Sequence, residues 1–218
     1  MMRALSSLGD AALLLPASLI LLVYLAAARQ IAAVAIWCLA LAACAVVTIA
    51  AKLVFHACGA SLSEFDLLSP SGHASLATVF YGSLAILVGA GRPPWQRMAL
   101  AGATLLLLAL IGVSRVVTGA HSPEEVVLGL AIGGVCVALF GLLHRGHELP
   151  HVSPMPLALG FLAALALLGG RHFTLEPVIG KVARRLSAAL DVCTDVPTRL
   201  TRSRDFGLAS VWREPTDR

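Results

Sequence analysis

The chain has 218 residues, 58% of them hydrophobic and 13% charged, with a mean hydropathy of +0.88. A soluble domain carries roughly 25% charged residues, so this composition excludes both a water-coated globule and a disordered chain, which is apolar-poor and charge-rich. Sixteen Lys and Arg against twelve Asp and Glu leave +4, which in so apolar a chain reads as orientation signal and lipid contact and not as nucleic-acid binding.

Six continuous apolar runs follow in order: Ala11–Ala28, Ile31–Phe55, Ala74–Ala90, Met98–Val117, Val126–Leu143 and Met155–Gly170. At 1.5 Å per residue they reach about 24 to 38 Å as helices, against a hydrocarbon core roughly 30 Å thick. They do not alternate, so helices and not barrel strands are predicted. The first run exceeds the apolar core of about 7–15 residues of a signal peptide and is read as a span. The prediction is an all-α integral membrane bundle of six transmembrane helices over residues 1–170, with a polar tail over 171–218.

The connections are short, with Arg29-Gln30 after the first run and Gly91–Arg97, including an interfacial Trp95, before the fourth. The tail holds nine of the sixteen basic residues, and Val178, Val182, Leu186 and Leu190 recur every four positions with Lys181, Arg184 and Arg185 between them. That spacing predicts a basic amphipathic helix lying on the membrane surface, with an ordinary solvated tail helix as the alternative. The five cysteines, at 38, 44, 58, 136 and 193, form no CxxC pair and are expected to be small buried residues. His144, His147 and His151 straddle a Gly and a Pro. They read as a solvated loop, not a metal site. Gly129, Gly133 and Gly134 are expected to serve close helix packing.

Ionisable residues at membrane depth need a reason. Lys52 stands near the end of the second run, Ser69–His73 opens the third, Ser114-Arg115 closes the fourth, and His121 and Glu125 open the fifth. With alternating spans all four places share one membrane face. Lys52 and Arg115 are fixed cations. Ser69 is predicted as N-cap with Pro70 at the first helical position, leaving the N–H groups of Ser71 and Gly72 pointing out of the helix as an anion site. His121 and Glu125, four apart, are placed on one helical face, where Glu125 accepts the Nδ1–H of His121 and leaves Nε2 as a nucleophile. His73 is suited to protonate a leaving group. The set reads as phosphoryl transfer through a phosphohistidine, without a metal or other cofactor.

Pro70-Ser71-Gly72-His73, followed by Ser114-Arg115 and, after five residues, His121, resembles the second and third signature motifs of the type 2 phosphatidic acid phosphatase (PAP2) superfamily. The resemblance implies six membrane helices, His121 as nucleophile, His73 as general acid and Glu125 where the family usually has Asp. Lys52, Ser71, Gly72, Ser114 and Arg115 would hold the phosphate. It implies a lipid phosphate or pyrophosphate as substrate, with membrane lipids as the other partners. A phosphotransferase of the same mechanism and a non-catalytic lipid-binding or transport protein are the alternatives. The family's first motif runs from Lys to an Arg-Pro pair, and none follows Lys52 before the third run. Arg92-Pro93 falls on the opposite face, so one phosphate-binding cation is either missing or supplied from elsewhere, with His56 as one candidate. Flanking charges are nearly balanced: Arg3, Arg171, Lys181, Arg184 and Arg185 on the cluster's side, against Arg29, Arg92, Arg97 and Arg145. The resemblance to bacterial members implies a cell-membrane protein whose site faces away from the cytoplasm.

Overall fold

A computed structural model describes residues 2–58, 69–145, 154–168, 178–183 and 185. Every regular element among the described residues is a helix: α1 (Met2–Ser7), α2 (Ala11–Ala27), α3 (Ile31–Cys58), α4 (Gly72–Gly89), α5 (Pro94–Val117), α6 (Pro123–Leu143) and α7 (Pro154–Leu168). Local chemistry sets the boundaries. Asp10 caps α2, its side chain accepting the Ala12 N–H, and Arg29 at φ 57° turns the chain into α3. Gly91, at φ 69°, makes the turn before α5, where Pro94 occupies the first turn without needing an N–H donor. Ser122 and Glu125 form a capping box at the start of α6, again with Pro in the first turn.

Among the described residues, four helices are long and apolar enough to cross a membrane: Ile31–Phe55 within α3, and α4, α5 and α6. The first and last apolar runs form the shorter helices α2, of 17 residues, and α7, of 15. Leu19, Val46, Leu105 and Val135 are each more than half exposed on the outside of the bundle. An apolar exterior of this kind suits lipid and not water. The short α1, which the sequence reading did not anticipate, packs against α5.

Helix α4 lies at the centre, in contact with α2, α3, α5 and α6. Trp37 of α3 meets Phe80 of α4 and Phe140 of α6 edge-to-face, at ring centroid distances of 5.8 and 5.9 Å. Such pairs add about 0.5–1.5 kcal/mol each beyond their buried area. Small residues bring α6 close to α4. A Cβ at Gly129 would stand 2.5 Å from the carbonyl oxygen of Ser71, and one at Gly133 would stand 2.5 Å from Thr78 Cβ. Gly134 faces open space, so it does not share the packing role expected of it. Cys44 and Cys136 are buried free thiols, whereas Cys38 is exposed.

In the C-terminal half one expectation changes, that for His144. In residues 178–183, Val178 and Val182 are exposed, while Ile179 and Ala183 are buried. The remainder of the predicted amphipathic helix, including Leu186 and Leu190, lies outside the described residues. His144 is not solvated. It is the C-cap of α6, is 4% exposed, lies on the Phe140 ring and has Nδ1 3.2 Å from the Phe140 carbonyl. His147 and His151 lie outside the described residues.

Candidate active site

The chain between α5 and α6 is tied down at both ends. The carbonyl of Arg115 accepts the N–H groups of Ala120 and His121, at 3.0 and 3.3 Å, and Gly119 takes φ 67° between them. His121 therefore precedes the N-cap Ser122 and is not on a helical face with Glu125, as the four-residue spacing had suggested. The expected contact forms nonetheless, because the capping box folds the Glu125 side chain back over the helix start. Glu125 Oε2 lies 2.6 Å from His121 Nδ1 and also accepts the Ser122 N–H at 3.3 Å. A carboxylate only accepts, so Nδ1 carries the proton and the Nε2 lone pair is left for an electrophile. Burial pushes the His121 imidazole below its ordinary pKa. The hydrogen bond and charge of Glu125 oppose that shift, while Lys52 and Arg115 add to it. Burial and the two cations thus favour the neutral form of the ring.

The other oxygen of Glu125 reaches across to α4. Oε1 accepts the Ser69 N–H at 2.7 Å, and the Glu125 carbonyl accepts the Ser71 N–H at 3.0 Å. These two bonds revise the predicted helix start. Ser71, not Ser69, is the N-cap of α4, its side chain accepting from the Ala74 N–H, and Gly72 is the first helical residue. The Ser71 N–H is therefore engaged with α6 and does not point at an anion. Ser69 instead links the two charges of the site, since its hydroxyl accepts from Lys52 Nζ at 3.4 Å while its N–H is held by Glu125. Lys52 is only 4% exposed. Its stem passes Gly72, where a Cβ would sit 3.6 Å from Lys52 Cε.

Arg115 closes α5 and donates from a terminal nitrogen to the Ser6 hydroxyl at 2.8 Å. Ser114 is fully buried, with its hydroxyl donating to the Ile111 carbonyl at 2.6 Å. On the first turn of α4, His73 Nε2 faces Asp10 Oδ2 at 3.4 Å, with side-chain exposures of 18% and 2%.

Five of the predicted residues, Lys52, Gly72, His73, Arg115 and His121, line one cavity of about 440 Å³. Leu15, Ala45, Ile49, Leu76 and Ile179 supply much of its apolar wall. Ser71, Ser114 and Glu125 stand behind this lining, their side chains bonded to neighbouring protein groups. Arg92, whose Nε donates to the Val88 carbonyl, is at the far end of α4 and outside the lining. The side chain of His56 lies outside the described set. The cavity can therefore receive a tetrahedral anion at its polar end and an apolar chain along its wall. The polar end offers two fixed cations and two imidazoles.

The sequence reading missed Asp10, Ser6 and the wall residue Ile179. A Gly-Asp pair directly before an apolar run does signal an N-cap, but nothing local in the sequence pairs Asp10 with a histidine 63 positions later.

The family model described as PAP2 superfamily matches residues 55–148, a stretch that holds Ser71 to His73, Ser114, Arg115, His121 and Glu125 but not Lys52. A relative from Klebsiella pneumoniae, described as "Uncharacterized 22.5 kDa protein in cps region", is 30% identical over 186 residues, covering 83% of this chain and 89% of its own. No solved structure matches the chain significantly. The motifs, the shared cavity and these similarities converge: the chain belongs to the PAP2 superfamily.

Proposed function

We propose that this protein is an integral-membrane phosphatase that hydrolyses a lipid phosphate or pyrophosphate through a phosphohistidine intermediate, without a metal ion. The supporting observation is the single cavity in which Lys52, Arg115, His73 and His121 meet an apolar wall. A phosphate at the polar end would be held by Lys52, Arg115 and the backbone of Gly72, with Ser71 and Ser114 keeping the two helix ends in place. Fixed cations aimed at the phosphoryl oxygens stabilise the charge carried through the transition state. His121 Nε2 attacks phosphorus and forms the N–P bond. The bond to the leaving oxygen breaks, and that oxygen takes a proton from His73. Water then gives a proton back to His73 and attacks phospho-His121, releasing inorganic phosphate and restoring both rings.

In the same reading α2 and α7 join the four longer helices to give six spans. At 1.5 Å per residue they reach about 26 and 23 Å, near the roughly 30 Å hydrocarbon thickness. The site opens on the extracytoplasmic side of a bacterial cell membrane.

The test is phosphate release from a panel of lipid phosphates and pyrophosphates in detergent, with radiolabelled substrate quenched during turnover. An acid-labile, alkali-stable phosphoryl group on wild type, absent from His121→Ala, is the expected result. Turnover by His121→Ala near the wild-type rate would refute the mechanism. Adding a second alcohol and following product partitioning separates hydrolysis from transfer.

A further inference from the structure

We propose that Asp10 is the positioning residue for the general acid, holding the His73 imidazolium in place and balancing its charge. The inference rests on His73 being the acid of the proposed reaction. Asp10 is 1% exposed and contributes nothing to the cavity lining, so it acts through His73 and not on substrate. Its two oxygens have different duties. Oδ1 accepts the Ala12 N–H at 2.9 Å and caps α2, while Oδ2 faces His73 Nε2 at 3.4 Å. A cap alone is served as well by Asn or Ser, whereas a buried carboxylate costs several kcal/mol unless it is paired.

The surroundings explain what the charge is for. His73 must carry a proton in a cavity it shares with Lys52, Arg115 and the imidazole of His121. Both cations disfavour a third positive charge. Glu125 is committed to His121, Ser122 and Ser69, on the other side of the helix start. Asp10 supplies the compensating negative charge at His73. When the leaving oxygen takes the proton, the ring becomes neutral and Asp10 stays ionised, and the charge returns when water is deprotonated. The segment before α2 is held in place by its own contacts. Ser6 accepts from Arg115, the Leu8 carbonyl accepts the Tyr81 hydroxyl at 2.9 Å, and Gly9 packs where a Cβ would come 2.9 Å from Ile111 Cγ2. The site thus has two carboxylate–imidazole pairs, one local in sequence for the nucleophile and one long-range for the acid.

Asp10→Asn tests this, because Asn keeps the cap and the shape and removes the charge. Wild type, Asp10→Asn, Asp10→Ser and His73→Ala are compared in detergent on an alkyl phosphate and a nitrophenyl phosphate. The expected loss in kcat for Asp10→Asn is about 10- to 100-fold on the alkyl ester and less than about 3-fold on the nitrophenyl ester, whose leaving group needs no acid. KM should stay within about 2-fold on both, since the cations are untouched. The alkaline limb of kcat/KM should move to lower pH, because the proton on His73 loses its compensating charge. Asp10→Ser, which also preserves the cap, should repeat the pattern and serves if the Asn variant fails to fold. Equal losses on both esters, or an unmoved alkaline limb, would overturn the role of Asp10 while leaving His73 as the acid. Absence of leaving-group selectivity in His73→Ala would overturn the acid assignment itself, and Asp10 with it.

Discussion

Glu125→Gln isolates the chemistry of the proposed nucleophile His121, and the hydrogen bonds of Glu125 specify how it should fail. The carboxylate accepts from His121 Nδ1 and Ser122 N–H on one oxygen and from Ser69 N–H on the other. Glutamine has one accepting oxygen and one donating NH₂ group. Ser69's backbone N–H can only donate, whereas an imidazole can change tautomer. The amide oxygen should therefore stay on Ser69, and its NH₂ should turn to His121 and to the Ser122 N–H. His121 Nδ1 must then accept, which puts the ring proton on Nε2 and removes the attacking lone pair. The NH₂ also faces the Ser122 donor, which costs about 1–3 kcal/mol of stability. In a Ser-His-Asp triad the equivalent change lowers kcat about 10⁴-fold through the wrong tautomer, and a loss of roughly 10²- to 10⁴-fold is expected here by the same logic. KM should change little, because Lys52 and Arg115 are unaltered. Steady-state phosphate release supplies the rates, and ¹⁵N chemical shifts of labelled histidine supply the tautomer. Exposed Glu124, in the same helical turn, is the control, and Glu124→Gln should remain near wild type. Glu125→Asp keeps an accept-only group and should retain more activity than Gln. Equal, mild effects of Glu124→Gln and Glu125→Gln would refute the His121–Glu125 assignment.

The remaining predictions use other parts of the site. Because burial holds the His121 pKa below its ordinary value, attack by the neutral ring should persist below about pH 6.5 and be lost only as pH falls further. Glu125's charge raises that pKa, so Glu125→Gln should move the acid limb of kcat/KM to still lower pH; a move upward would contradict the electrostatics. EDTA should leave the rate unchanged and vanadate should inhibit as a pentacoordinate mimic, whereas loss in EDTA reversed by zinc or magnesium would sink the metal-free mechanism. Gly129→Ala puts a methyl 2.5 Å from the Ser71 carbonyl oxygen, so α6 must move off the start of α4. A cost of about 1–3 kcal/mol in detergent thermal unfolding is expected, with a loss of turnover larger than that of Gly134→Ala, where a Cβ meets open space.

What was legible in the sequence follows the range over which each signal acts. Apolar run length and turn residues are local, so all six helical runs and the places where ionisable groups collect were readable. Lys52, His73, Arg115 and His121 do share a cavity. Fine placement at helix starts was less readable, because Ser69 and Ser71 offer nearly the same cap chemistry two residues apart. What decides between them is distant: the α6 carboxylate and carbonyl hold the Ser69 and Ser71 N–H groups, and Gly129 admits the close approach that makes this contact possible. The same distinction separates the two carboxylates. Glu125 announces itself four residues from its histidine, in a capping box that any helix start could show. Asp10 looks like a helix cap until the fold brings His73 to its second oxygen. A carboxylate whose local duty engages one oxygen keeps the other for a partner that the sequence does not name. In a membrane protein, where a buried charge is costly, such a cap is a place to look for long-range support of a catalytic group.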